Sequence, residues 1–283
     1  MRPWLWFWNP RERKMETKSI LTYMIPALLA SLVIMLSACT QTNVDALLAS
    51  GQEHLQNDDY DAAIEDFEAA TEANPDSVAA YLALGEAYVR QAESTGSTSG
   101  LLDAIQAFRT AIALEPNNPA AHHNLGTVYF QANAIESAIQ EFETALELEP
   151  DSAESHYQLG AIYLNLAFPP PGSSAPINQE HLSQAIQEFE AALAIEQNMP
   201  EALIGLANAY IAQEAYQTAL DTLQEVLEQI PDSPQAYYAL GNAYAQLGDT
   251  TNACDAYRAF LNLNPPADWR ANAEQAMNIL GCP

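Results

Sequence analysis

Positive charge is the scarcest resource in this sequence. Of 283 residues only 9 are Lys or Arg, against 37 Asp and Glu, which gives a formal net charge of −28 and a pI near 4.1. Recognition of a phosphate backbone needs a basic footprint, so nucleic acid is excluded as a partner. Cysteine is scarce too, and three are too few for a disulfide-built scaffold. The deficit of cations does not make the chain an acidic disordered tail, because 49% of its residues are apolar and can bury a large core.

What charge there is divides sharply. Residues 1–38 hold Arg2, Arg11, Arg13, Lys14 and Lys18 against Glu12 and Glu16, a net of +3, which leaves −31 for the remainder. Beyond Lys18 the only cations are Arg90, Arg109, Arg258 and Arg270. A basic stretch, an apolar run from Ile20 to Leu36 and then small residues form the layout of an export signal. The run ends in Leu36-Ser37-Ala38-Cys39, which resembles the lipobox of bacterial lipoproteins. The resemblance implies cleavage before Cys39 and lipidation of its sulfur. An uncleaved signal anchor is the other reading, since about 17 to 20 apolar residues can span a hydrocarbon core. Both readings place the rest of the chain outside the cytoplasm. Either Met1 or Met15 can be the start. The expected address is the cell membrane or outer membrane, lipid-anchored and facing the periplasm or exterior; Thr40 after the cysteine leans towards the outer membrane by resemblance to sorting rules in two-membrane bacteria.

From Val44 the chain repeats itself. Leu125-Gly126, Tyr129, Ala138, Phe142, Ala145 and Pro150 stand at helical spacings, and the same pattern returns as Leu84-Gly85, Tyr88, Ala104, Phe108, Ala111 and Pro116. It returns again from Leu159-Gly160 and from Leu240-Gly241, with weaker copies from Gly51 and Leu206. This pattern resembles the tetratricopeptide repeat (TPR), a 34-residue helix–turn–helix unit. The resemblance implies an all-α, right-handed superhelical solenoid of six TPR repeats plus a C-terminal capping helix. The expected organisation is a signal peptide at 1–38, a short linker at 39–43, repeats at 44–77, 78–118, 119–152, 153–199, 200–233 and 234–266, and the cap at 267–283. Two copies are long: Gly85 to Ala104 spans 19 positions and Gly160 to Ala185 spans 25, where the regular spacing is 12. Both insertions fall between the two helices of a repeat. The first, Glu93 to Gly100, is expected to be a polar flexible loop. The second, Phe168-Pro169-Pro170-Pro171-Gly172, is expected to be stiffer and to expose an aromatic beside a polyproline II stretch. Each is either a tolerated surface insertion or a partner-contacting edge.

In this family ligands lie in the groove lined by the first helix of each repeat. The resemblance puts Leu48, Leu82, His123, Phe130, Tyr157, Ile204 and Tyr238 there, with Arg90, Asn208 and Asn242 alongside. Arg90 is the lone cation of the set, so a clamp for a C-terminal carboxylate is absent. Acids concentrate on the second helices, as in Glu141-Phe142-Glu143 and Glu188-Phe189-Glu190. The result is an apolar, amide-rich groove inside an acidic shell, suited to an amphipathic helix or an extended segment. The aromatic groove positions have a second reading, as packing between helices.

No catalytic residues, metal ligands or cofactor are expected. The five histidines, His54, His122, His123, His156 and His181, lack cysteine or carboxylate partners at ligand spacing, and no phosphate loop or nucleophile elbow stands outside the repeats. With Cys39 lipidated, Cys254 and Cys282 remain as a candidate disulfide across about 28 residues, which the offset between their two helices disfavours. The sum is a non-enzymatic, membrane-anchored extracytoplasmic scaffold that binds protein partners. By resemblance to bacterial repeat lipoproteins, its role is as an assembly factor for pili, secretion or outer-membrane complexes, or as a non-catalytic accessory subunit of an envelope enzyme. The register itself is open to test. Gly126→Leu should cost several kcal/mol by overpacking the helix pair, read as a fall in thermal midpoint; an unchanged melt would reject this alignment.

Overall fold

The computed structural model describes residues 43–170 and 172–282; the signal segment, Cys39 and the linker to residue 42 lie outside the described residues. Every regular element among the described residues is an α-helix. The chain divides into two compact units between Leu114 and Glu115. The first holds α1 (43–56), α2 (Tyr60–Ala73), α3 (Val78–Thr95) and α4 (Thr98–Leu114). The second begins with α5 (Pro119–Gln131), α6 (Ile135–Leu148), α7 (Ala153–Ala167) and α8 (Gln179–Ile195). It continues through α9 (Pro200–Ala212), α10 (Tyr216–Gln229), α11 (Pro234–Leu247) and α12 (Thr250–Asn262) to α13 (Ala267–Leu280). The helices pair in sequence, α1 with α2 through α11 with α12, and α13 stands alone at the end. None of the described helices is long and apolar enough to cross a membrane.

The helix starts follow from local chemistry. Ser77, Asn118, Ser152 and Ser233 each accept a hydrogen bond from the backbone N–H three residues on, supplying one of the orphan donors of a helix N-terminus. Proline opens α5, α9 and α11, where its missing N–H costs nothing. Between paired helices the chain reverses through one left-handed residue: Asp58, Asn133, Glu214 or Gly248.

Helix pairs close on one contact. A Cβ added at Gly51 would stand 2.5 Å from the Phe67 ring, and Gly85 beneath Phe108 and Gly241 beneath Tyr257 are equally tight. Gly160 under Phe189 is looser at 2.9 Å, and Gly126 under Phe142 looser again at 3.2 Å. Each of these rings is fully buried, worth roughly 1.5–3 kcal/mol apiece in transfer free energy. The α9–α10 pair solves the same problem differently: Ala207 replaces the glycine and Leu223 replaces the ring, both at 0% exposure. Its glycine has moved to Gly205, which makes room for Phe189 of the preceding pair, at 2.5 Å.

Adjacent pairs are stitched through the acids. Tyr88, Tyr163 and Tyr210 donate to Glu68, Glu143 and Glu190, each twenty residues earlier and next to a buried phenylalanine. Two histidines do similar work. Nδ1 of His122 lies 2.6 Å from Glu141 while Nε2 faces the Pro116 carbonyl, and His156 repeats the arrangement with Glu188 and Pro150. These rings tie the turn before a first helix to the second helix of the same pair. Part of the acidic face is therefore structural, where the sequence suggested only a solvated shell.

The first insertion is not the flexible loop its composition suggested. Its residues lengthen α3 and α4, leaving only Gly96, at φ +68°, and Ser97 as the turn. Gly100 lets the extended arms meet, since a Cβ there would sit 3.1 Å from the Ala92 side chain. The second insertion is an irregular segment from Phe168 to Asn178, closed by a hydrogen bond from the Asn178 N–H to the Ala167 carbonyl.

Cys254 and Cys282 are joined by a disulfide, with Cα atoms 5.7 Å apart. The helix offset that argued against this pairing is overcome at the end of α13. There Gly281, at φ +70°, turns the chain so that Cys282 donates back to the Met277 carbonyl and its side chain reaches α12. Reducing this bridge, or replacing Cys282 by Ser, should cost about 3 kcal/mol for a loop of this length. Hydrogen exchange should show the loss in α13 while α7 keeps its protection; uniform loosening of the second unit would contradict this local role.

Candidate functional site

Within the second unit the first helices α7, α9 and α11 enclose a cleft of about 560 Å³. Its apolar lining comes from Leu164, Ile204, Ile211, Ala161 and Ala212, with the Phe189 ring behind Gly205. Three amides, Asn165, Asn208 and Asn242, face it, and Glu201 stands where α9 begins. Asn208 and Asn242 occupy the same position of successive pairs, one place after Ala207 and Gly241, so the helical repeat stacks them on one face.

The polar groups are oriented by what lies behind them. Tyr257 donates its hydroxyl hydrogen to Oδ1 of Asn242 at 2.8 Å, which leaves the Asn242 NH₂ to offer donors to the cleft. Burial, helped by the neighbouring Tyr238 hydroxyl, pushes the Tyr257 phenol up to about 12, so this donor keeps its proton at neutral pH. The Tyr157 ring leans on Phe189 at 6.2 Å. Burial raises the Tyr157 phenol, and the carboxylates of Glu154 and Glu201 raise it further. One end of the cleft is therefore negative in potential, and among the described residues no cationic side chain lines it.

Phe168 completes the other end. Pro169 excludes the helical conformation for the residue before it, so α7 stops and Phe168 takes an extended backbone, φ −86° and ψ 136°. The ring, 48% exposed, then stands against the cleft beside Leu164 and Ile211. Ile177 at the far end of the insertion packs on Leu182, Ala167 and Ala209, which fixes the segment to α7, α8 and α9.

Four of the groove positions read from sequence, Tyr157, Ile204, Asn208 and Asn242, meet in this cleft. His123 lies in a separate, smaller cavity of about 190 Å³. Its Nδ1 is 2.8 Å from the Ser155 hydroxyl, which in turn accepts from Ser152, and burial lowers its pKa against the opposing pull of Glu154. Ser155 is 1% exposed, so this chain of hydroxyls orients the imidazole and is closed to a substrate. Tyr238 sits in an aromatic cluster with Tyr257, Phe260 and Trp269 at 5.1–6.0 Å, and Phe130 packs against the core around Phe142. Leu48 and Leu82 belong to the first unit, where Leu48 packs beneath α2 and α3 and Leu82 is half-buried on α3. Arg90 is exposed on the same helix and pairs with Glu86 at 3.4 Å. The sequence marked Phe168 as an exposed aromatic on the second insertion, and it is exposed; sequence reasoning did not bring it to the cleft, and it missed Asn165 and Glu201. No group of three or more potential metal ligands occurs among the described residues.

Comparison with known proteins agrees with this architecture. One family model described as "TPR repeat" matches residues 101–133 and 126–166, and three described as "Tetratricopeptide repeat" match 177–240, 48–97 and 234–266. No curated protein matches the chain by sequence. Among solved structures it is similar to pilF of Pseudomonas aeruginosa, at 18% identity over 83% of this chain and 98% of that one, with a TM-score of 0.67. A tetratricopeptide repeat protein of Parabacteroides merdae gives 18% identity, 84% and 86% coverage and 0.65. YrrB, described as a TPR protein with an unusual peptide-binding site, gives 20% identity, 74% and 97% coverage and 0.54. At these identities the likeness establishes the fold alone.

The hydroxyl behind Asn242 has a measurable consequence. A phenol whose folded pKa is raised binds its proton more tightly in the native state, so the stability it contributes is present below its ordinary value of 10 and is lost as pH rises towards 12. Tyr257→Phe should therefore lower stability by about 1 kcal/mol at neutral pH, through the lost hydrogen bond. It should also lose about 1–2 kcal/mol less than the parent between about pH 9 and pH 11.5, by urea unfolding at each pH. Parallel alkaline curves for the two proteins would contradict the assignment.

Proposed function

The chain belongs to the tetratricopeptide-repeat family, a fold of protein–protein interaction scaffolds, and from that premise we propose that it is a lipid-anchored, extracytoplasmic scaffold that holds a partner in the cleft between α7, α9 and α11. The observation that supports this reading is the cleft itself: apolar floor, oriented amide donors, and no cationic lining. Amides facing an apolar groove suit an extended main chain, whose carbonyls and N–H groups they can satisfy while the floor takes side chains. YrrB, of the same fold, is described with a peptide-binding site. The anchor rests on the lipobox-like Leu36-Ser37-Ala38-Cys39 behind a basic and apolar segment. A single lipid chain binds a membrane only marginally, so two or three acyl groups on one residue suit a protein whose acidic surface is repelled by anionic lipid. The protein is expected to face the periplasm or exterior, held close to the bilayer by a linker of only a few residues.

Two arms of one experiment test the two halves. Labelling with an alkyne fatty acid should mark the wild-type chain and leave Cys39→Ala unmarked and uncut at residue 38. A wild-type chain that keeps residues 1–38 and takes no label is an uncleaved signal anchor instead. A photo-crosslinking amino acid at Asn208 should yield a discrete adduct in intact cells that is absent with the same group at Glu225, an exposed position of α10; equal adducts from both positions would remove the cleft as the binding surface.

A further inference from the structure

The cleft and the second insertion were separate features in the sequence, and the fold joins them. Phe168 stands at the C-terminal end of α7 beside Ile211 and Ala212, the C-terminal end of α9, and all three line the cleft. Glu201 lines it at the opposite end, where α9 begins, close enough to Tyr157 to raise its phenol. The cleft therefore has an apolar end and an acidic end. From Glu201 to Ala212 the α9 backbone rises about 16 Å at 1.5 Å per residue. An extended chain covers that distance in about five residues.

Building on the cleft as the binding surface, we propose that Phe168 is the selecting wall of this site and that its occupant is an extended segment of a partner protein. That segment places a leucine-sized or aromatic side chain beneath Phe168 and, about five residues away, a lysine or arginine against Glu201. Two carboxylates, Glu154 and Glu201, act on the Tyr157 end of the cleft, no cation among the described residues lines it, and the chain beyond residue 38 carries −31 overall. An acidic segment is repelled at both short and long range, while a basic one is drawn in. The geometry carries the first half. Pro169 fixes the backbone of Phe168, Ile177 and the Asn178–Ala167 hydrogen bond fasten the insertion at its far end, and the half-exposed ring is held over apolar floor. An anchored aromatic of this kind gives up little side-chain entropy on binding.

The test uses the detergent-solubilised full chain and labelled synthetic peptides read by fluorescence anisotropy. The reference peptide carries one leucine and one lysine about five positions apart in a serine–glycine background. A second replaces the lysine with glutamate, and a third brings leucine and lysine next to each other. The reference peptide should bind about tenfold more tightly than either of the others, the difference between it and the glutamate peptide shrinking at high salt. Glu201→Gln should cut the preference for lysine over glutamate several-fold, leaving the smaller part that Glu154 and the net charge supply. Phe168→Ala should weaken the reference peptide about tenfold with an unchanged thermal melt, and Phe168→Trp should restore it. Equal affinity for the lysine and glutamate peptides, no effect of Phe168→Ala, or no binding of the reference peptide at all each overturns the inference. Asn208→Trp, which fills the cleft, separates the two readings. If it abolishes peptide binding while Phe168→Ala and Glu201→Gln do nothing, the cleft stands and the selection rule falls. Binding untouched by Asn208→Trp removes both. A cleft variant that instead dissociates a homodimer makes a second copy of the chain the occupant and overturns the proposal.

Discussion

A glycine facing an aromatic ring holds this fold together. Where Gly51, Gly85, Gly160 or Gly241 sits under its ring, the missing Cβ is the space the ring occupies, and no side chain fits without moving it. The contact sets the distance between paired helices. It also explains why the α9–α10 pair exchanges both partners together: a methyl at Ala207 is compatible with Leu223 and not with a phenyl ring. Phe189 is shared with the pair that follows, through Gly205, so that pair does not bury its face alone. The position of every side chain in the cleft is inherited from this spacing. Asn208 and Asn242 face the same way because each follows the small residue that packs on the second helix of its pair, Ala207 with Leu223 and Gly241 under the Tyr257 ring.

The second level of organisation is polar. Glutamates adjacent to the buried rings accept from Tyr88, Tyr163 and Tyr210 of the next pair, and Glu141 and Glu188 hold His122 and His156. A chain with so many acids can place some of them where they bridge helices, and this lessens the self-repulsion that a large net charge imposes. The cleft is organised in the same way. The Tyr257 hydroxyl that fixes Asn242 belongs to the ring that packs on Gly241, so one residue both closes a helix pair and aims a binding group.

The fold was legible in the sequence because it is periodic. Small and aromatic residues recur at fixed intervals, and caps such as Asn118 and Ser233 mark the helix starts. What was not legible depended on the third dimension. The stretch from Glu93 to Gly100 reads as a loop by composition, yet one left-handed turn at Gly96 and the close approach at Gly100 let it extend two helices. Cys254 and Cys282 looked offset along antiparallel helices until the turn at Gly281 was known. Tyr238 and Tyr157 stand at equivalent repeat positions, but the terminal helix supplies Trp269 to enclose the first, while the second is left facing a cleft. Equivalent positions diverge wherever their neighbours do.

Insertions in a repeat array are tolerated because loop closure costs little per added residue, so length alone signifies nothing. What distinguishes the insertion after α7 is that its first residue is a large apolar side chain held half in water. A solvated loop gains nothing from phenylalanine there, and Pro169 biases its backbone towards the extended conformation in which the ring is left half exposed. The proline thus holds an apolar side chain at the edge of an apolar cleft. At the other end Glu201 stands in the first turn of α9, with no ion pair among the described residues. Its charge is favourable to the helix N-terminus whether or not a ligand is present, so the acidic end costs the fold nothing to maintain. Of the two ends of the cleft, the exposed ring of Phe168 is the one that costs the fold, and it is therefore the stronger mark of a binding role.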